Sequence, residues 1–277
     1  MRGAAEALRH EVIGLGGVLE RNWYLVKRYA WWELAFFIWT AANTLTIVFI
    51  GKGIEAGGGQ IDLDFVTTQL LIGAVIWSYL GIVFEILVET VAWERWEGTI
   101  EYTFMAPLSR PVHLLGMGLF AVGYGVVRAS IVFAVIAAFF GLSMPNANFV
   151  AALLVLAVAS VSFIGIGMMA AVLPLISPEK GTQIGFVGQG ILLVISGVYY
   201  PVDVLPGWMQ ALATISPATY ALDGIRDAIQ RGDGVTAMGD ELWPLAVIGA
   251  ISIPLGLWVF QLGERHAKRH GKLKRSG

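Results

Sequence analysis

The sequence predicts an all-α membrane protein with six transmembrane helices, and three observations carry that prediction. Of its 277 residues, 57% are hydrophobic and 14% charged, with a mean hydropathy of +0.72. Such a chain has too little polar surface to cover itself in water, so a bilayer is the simpler solvent. Six apolar segments, near 31–50, 66–88, 112–141, 149–175, 183–199 and 242–262, stand apart in the chain. Each reads as long enough to span about 30 Å of hydrocarbon at about 1.5 Å per residue, the fifth being the shortest. Basic residues also alternate between connections. Arg2, Arg9, Arg21, Lys27 and Arg28 precede the first span, Arg95 and Arg110 follow the second, and Lys180 follows the fourth. Arg265, Lys268, Arg269, Lys272, Lys274 and Arg275 follow the last, whereas the intervening connections hold only Lys52, Arg226 and Arg231. An even number of spans puts both basic ends on one side, and the positive-inside bias makes that side the cytoplasm. The expectation is one transmembrane domain, 1–277, multi-pass in the cell membrane.

Residues 1–30 come first. Leu8, Val12, Leu15, Leu19, Trp23 and Val26 recur every three or four positions, with Glu11, Glu20, Arg21 and Lys27 elsewhere on the wheel. That pattern predicts an amphipathic helix on the cytoplasmic leaflet; docking on a soluble partner stays open for the same face. It has no continuous apolar core of the kind a cleavable signal needs. The spans occupy 31–262. Between the first two, Gly51 to Asp64 carries Gly57, Gly58, Gly59 and Asp62 and reads as a flexible solvent loop.

Glu94 to Pro111 is the most informative connection. Gly98 suits a helix stop, because it takes a left-handed conformation without a Cβ clash. Thr99 suits an N-cap, and Glu101 then meets the positive end of a new helix. Pro107 ends that helix by removing a donor, Ser109 suits the next cap, and Pro111 is tolerated in the following first turn. The segment therefore predicts a short surface helix between two spans, a natural docking element.

Ser177-Pro178-Glu179-Lys180 separates the fourth span from the short fifth. Tyr199 to Thr219 is too apolar for open water and too rich in proline for one span. It predicts two short helices dipping back into the outer leaflet, with Pro206 near the start of the second. Backbone at that depth must be buried in protein or line a wet cavity. Gly116, Gly118, Gly123, Gly125, Gly165, Gly167, Gly181 and Gly185 allow close helix approach, within one subunit or between two. The tail, 263–277, is basic and suits a solvated end or contact with anionic lipid or an acidic surface.

Charges inside spans need an account. Glu85 and Glu89 lie one turn apart near the inner end of span two, where they reach the interface or meet basic groups on neighbouring helices. Arg128 falls well inside span three, in the outer half on this reading. Asp203 is its expected partner, with cargo recognition as the alternative. No Cys is present, there is no P-loop motif and no His-Glu-x-x-His, and the four histidines are scattered. No catalytic or metal site is expected, and no nucleic-acid fold signature accompanies the basic residues.

Two motif blocks resemble one family. Glu94-Arg95, Glu97-Gly98-Thr99-Ile100-Glu101 and Ala106-Pro107-Leu108-Ser109-Arg110 look like the cytoplasmic coupling segment of type-2 ATP-binding-cassette (ABC-2) permeases. Ser196-Gly197-Val198-Tyr199-Tyr200-Pro201, Leu205-Pro206-Gly207-Trp208 and Ser216-Pro217-Ala218-Thr219-Tyr220 to Arg226 resemble that family's signature before the last span. The resemblance implies a permease subunit, itself not an enzyme, that pairs with a second permease as a homodimer or heterodimer. It implies ATPase subunits on separate chains, which would bind the ATP and magnesium; this chain would hold no cofactor. Glu94, Arg95, Glu97, Gly98, Thr99, Glu101, Phe104 and Pro107 would form the ATPase-coupling element. Tyr199, Tyr200, Pro201, Asp203, Pro206, Trp208 and Pro217 would form the outer gate. Trp77, Leu80 and Phe84 with Ile191, Val194 and Ile195 would line the pathway between spans two and five. That apolar lining suits a drug-like or lipid-like cargo moved outward. Trp31, Trp32, Phe36, Phe37 and Trp39 keep open a lipid-linked polysaccharide exporter, whose channel stacks sugars on aromatic rings. A channel or secondary transporter without an ATPase is the reading from another class.

Overall fold

A computed structural model describes residues 2–56, 63–142, 144–271 and Leu273. The amphipathic stretch forms α1 (Arg2–Arg28), and the chain turns at Tyr29 into α2 (Ala30–Ala56). The expected loop residues Gly57, Gly58, Gly59 and Asp62 lie outside the described residues, as do Lys272, Lys274 and Arg275 of the tail. Then follow α3 (Leu63–Glu97), α4 (Ile100–Met105), α5 (Arg110–Phe140) and α6 (Phe149–Ala170). A break at Ala171 separates α6 from α7 (Val172–Ile176). After α8 (Gly181–Ile195) come a 3-10 turn (Val202–Val204), α9 (Gly207–Ala213) and α10 (Pro217–Arg226). A π turn (Asp227–Arg231) and a second 3-10 turn (Val235–Ala237) lead to α11 (Gly239–Arg269).

Among the described residues, five helical stretches are long and apolar enough to cross a membrane: Ala30–Ile50, Phe65–Glu97, Arg110–Phe140, Phe149–Ile176 and Gly239–Arg269. The segment expected as a fifth span at 183–199 builds a helix of only 15 residues. At about 1.5 Å per residue it reaches roughly 22 Å, short of the hydrocarbon thickness. Gly197, at φ 67°, turns the chain away. α11 is longer than expected and carries Pro244 and Pro254 inside it. It takes the first part of the basic tail, through Arg269, into the same helix.

α3 is the centre of the bundle. Of its most apolar window, 78% is covered by neighbouring helices, against 11% for α2. Tyr79, Leu80, Val83 and Leu87 are fully buried there. The Tyr79 hydroxyl meets Ser160 Oγ at 2.5 Å, tying α3 to α6. α6 and α11 press main chain to main chain, since a Cβ at Gly256 would meet the Gly165 carbonyl at 2.6 Å. Small residues bring that close packing because lipid supplies no hydrophobic drive between helices.

Long-range contacts define two ends. Arg110, at the start of α5, meets Glu264 near the end of α11, so these share one end with α4 and the last turn of α3. At the other end Asn148 N–H donates to the Ala228 carbonyl at 2.8 Å. There Gln230 Nε2 donates to the Phe65 carbonyl at 3.3 Å, which gathers the starts of α3 and α6 around α10.

Candidate functional site

At the α4 end, Gly98 stops α3 in a left-handed conformation, φ 75°, as its residue type requires. Thr99 does not cap: its backbone is already helical and its side chain bonds no α4 amide. Ser109 likewise makes no cap bond; its hydroxyl donates to Glu11 Oε2 of α1 at 2.9 Å. α4 has six residues, too few to hold a helix alone. Tertiary contacts supply what capping does not. Ile100 is fully buried, and Phe104, one turn on, is half-buried.

Arg110 organises the junction. Its Nε donates to both carboxylate oxygens of Glu264 at 3.2 Å. Its other nitrogens donate to the carbonyls of Thr103 at 3.4 Å and Phe104 at 2.6 Å. Its guanidinium lies 4.2 Å from the Phe104 ring centre, and Lys268 Nζ pairs with Glu264 at 2.6 Å. The last carbonyls of a short helix thus gain a cationic donor, which also suits the negative end of its dipole. From the other side, Arg21 of α1 pairs with buried Glu94 at 2.6 Å.

The expected coupling residues therefore divide. Glu94 and Arg95 are buried and belong to the base of the junction. Gly98 and Thr99 form the turn, and Phe104 packs under Arg110. Glu97, Glu101 and Pro107 are exposed. Beside them stand Tyr102 and Met105, 72% and 70% exposed, which the sequence reading did not single out. Their signal was available: Ile100 and Phe104, four apart, take the inner face and leave Tyr102 and Met105 outward. Glu11, Arg21, Glu264 and Lys268 gave no such signal, because each meets the junction from far along the chain.

The segment after α8 is latched at the opposite end. Buried Arg226 donates to the Gly197 carbonyl from two nitrogens, both at 3.1 Å, and to the Val198 carbonyl at 2.7 Å. Gly73 of α3 faces that same Val198 carbonyl, leaving no room for a Cβ. Ser196 and Ser216 hydroxyls meet at 2.7 Å, and Pro217 is buried at the start of α10. Tyr200 donates to the Val194 carbonyl at 2.6 Å, and Tyr199 is half-buried. Pro201, Asp203, Pro206 and Trp208 are exposed. Arg226, which the sequence reading named only as the end of the second motif block, is the side chain that holds this segment.

Of the expected pathway residues, Leu80 and Phe84 are buried in the core and Trp77 is half-buried. α8 closes on α3 at Gly185, which lies in contact range of Phe84 and Val88. Ile195 is buried, while Ile191 and Val194 are exposed.

The Arg128–Asp203 pair is corrected. Arg128 Nη2 donates to Thr40 Oγ1 at 2.8 Å, and Nη1 lies 3.9 Å from Glu33 Oε2. Tyr124 donates its hydroxyl to the same Glu33 oxygen. Asp203 is exposed at the opposite end, where its carbonyl accepts from Gln210 at 3.1 Å. The reason is register: α5 is 31 residues long, and Arg128 sits about 18 Å from its far end at Phe140. It stands level with the early turns of α2, at Glu33 and Thr40, and away from the segment that carries Asp203. Glu85 lies within electrostatic reach of Arg128, and Glu89 of Glu33.

Comparison with known proteins fits this arrangement. The chain is 27% identical over 163 residues to the probable multidrug ABC transporter permease YbhR of Escherichia coli (strain K12), covering 58% of this chain and 43% of that protein. It is 31% identical over 94 residues to the linearmycin resistance permease protein LnrN of Bacillus subtilis (strain 168), covering 34% of this chain and 24% of that protein. The chain thus matches less than half the length of these curated relatives. A family model described as ABC-2 type transporter matches residues 19–229, from the second half of α1 through the π turn after α10. Both the α4 turn and the Arg226 latch fall within that match, and the chain belongs to the ABC-2 type transporter family.

Proposed function

We propose that this chain is the transmembrane subunit of an ATP-driven exporter that moves a hydrophobic or amphipathic, drug-like or lipid-like cargo outward. One observation carries the reading: a six-residue helix stands between two spans with a buried, ion-paired base and an exposed tip of Glu101, Tyr102 and Met105. A helix too short to be stable alone, yet clamped from α1, α5 and α11, is suited to receive force from a partner. In this reading the partner is a separate ATPase subunit that binds ATP and magnesium, and a second permease, identical or not, completes the pathway. Both termini and α4 are cytoplasmic, and the Arg226-latched segment closes the outer side. The relatives' names, multidrug permease and linearmycin resistance permease, support an amphipathic cargo. The exposed aromatic side chains of α2, Trp31, Trp32, Phe36 and Trp39, leave the lipid-linked polysaccharide as the second reading.

The test is co-purification and reconstitution. The tagged chain, expressed with a candidate ATPase subunit from the same organism, is expected to bring that ATPase down and to stimulate its ATP hydrolysis when a drug-like or lipid-like amphiphile is added in proteoliposomes. An isolated chain that conducts or exchanges solute with no ATPase bound would overturn the proposal in favour of a channel or secondary transporter.

A further inference from the structure

A groove opens on the lipid-facing side where α1 turns into α2 and both pass α5. Its volume is about 360 Å³, and its walls are Val26, Ala30, Leu34, Phe37, Val127 and Ile131. Its polar end is Lys27, Glu33, Tyr124 and Arg128. Glu33 is already engaged, by the Tyr124 hydroxyl and by Arg128. The two cations are not saturated. Arg128 has five N–H donors, and its buried Nε has no hydrogen-bond partner. Lys27 is exposed and forms no ion pair among the described residues. What remains is a cationic pair of donors at the mouth of an apolar slot. Trp31 and Trp32, 85% and 65% exposed just beyond the turn, are the residues that settle at a headgroup boundary. Below the slot, Val127, Ile131 and Val135 form an exposed apolar track at intervals of four along α5.

We propose that this groove holds one glycerophospholipid from the leaflet on the α4 side. Its phosphate binds Lys27 and Arg128, and an acyl chain runs along the Val127–Val135 track. Charge complementarity selects the occupant: a neutral diacylglycerol fits the track but gives the cations nothing, and a carboxylate-poor cation is repelled by them. A phosphate there also offsets the charge of Arg128, which a place inside the span otherwise makes costly. This site is independent of the ATPase reading, since it needs only a chain that sits in a bilayer.

The test uses the full chain, purified, delipidated in detergent and followed by native mass spectrometry. Phosphatidylglycerol is expected to be retained at least about tenfold better than diacylglycerol of the same chains, and Lys27→Gln is expected to weaken it about fivefold, the worth of one interfacial cation. Lys27→Glu is expected to weaken it further, and Arg128→Gln to act in the same direction as Lys27→Gln. None of these is expected to alter diacylglycerol retention. If Arg128→Gln does not fold, the two Lys27 variants decide. Equal retention of the two lipids, or no effect of either Lys27 variant, would overturn the proposal. Displacement of phosphatidylglycerol by an equal concentration of glycerol 3-phosphate would also overturn it, by showing a site for a soluble phosphate.

Discussion

Breaking the Arg110–Glu264 pair tests whether α4 is clamped by the last helix. The two side chains are only 16% and 9% exposed, so neither relaxes freely into water. Removing one partner of a buried pair costs on the order of 3–5 kcal/mol, mainly by stranding the other. Each single variant here has a consolation. In Arg110→Ala, Glu264 keeps Lys268 at 2.6 Å. In Glu264→Ala, Arg110 keeps the Thr103 and Phe104 carbonyls and the Phe104 ring. The lower end, about 3 kcal/mol, is therefore expected for each. Arg110→Ala is expected to be the worse, because it also strands the last carbonyls of α4. The double variant is expected to lose about 1–3 kcal/mol less than the sum. Unfolding in mixed micelles measures stability, and cargo moved per ATP in proteoliposomes measures coupling. Arg110→Lys is expected to keep most stability but lose coupling, since an ammonium cannot fork between a carboxylate and two carbonyls. Additivity within about 0.5 kcal/mol, with normal coupling in all variants, would refute the clamp.

Other outcomes follow from the same contacts. Glu101→Lys, on the exposed tip of α4, is expected to leave unfolding unchanged within about 0.5 kcal/mol and to uncouple ATP hydrolysis from transport in the reconstituted complex. Gly98→Pro is expected to uncouple and to destabilise, because proline fixes φ near −65° where the turn holds 75°. Arg226→Gln is expected to cost about 2 kcal/mol by thermal unfolding, for the charged bonds lost at Gly197 and Val198. The chain has no cysteine, so Asp203→Cys is expected to react with an impermeant maleimide in intact cells and Tyr102→Cys only in inverted vesicles.

The helical class, the amphipathic start and the short helix between two spans were all legible, because apolar run length, three-four spacing and Gly98 are local signals. Capping was over-read. Thr99 and Ser109 have the right side chains in the right places, yet neither bonds an amide, since Ile100 and Arg110 hold the segment from above and below. The length of the segment before Gly197 was misjudged, because apolar character continues past Ile195 into a turn that Arg226 stabilises. Arg128 was given the wrong partner for a similar reason. The run of apolar residues shows that Arg128 lies inside a span, but not which turns of α2 stand level with it. Once that register is known, Glu33 and Thr40 of α2 stand level with it and Asp203 does not.

The contacts around α4 also say which helices would travel with it in the proposed cycle. α3 joins α4 through the left-handed Gly98, and Glu94 of α3 bonds Thr103 of α4 across that turn. α5 and α11 join it through the Arg110 fork, while α1 holds α3 through Arg21–Glu94 and the start of α5 through Glu11–Ser109. A push on Tyr102 and Met105 should therefore reach α5 and α11 together through the Arg110 fork, with α1 bridging α3 and α5. Tethering Arg110→Cys to Glu264→Cys with a short bismaleimide replaces the fork by a covalent link. If α5 and α11 move together, the tether is expected to restore the coupling that the two substitutions remove. If they must separate for cargo to pass, the tethered protein will hydrolyse ATP without transport while the untethered double variant retains some, and the rigid-body reading fails.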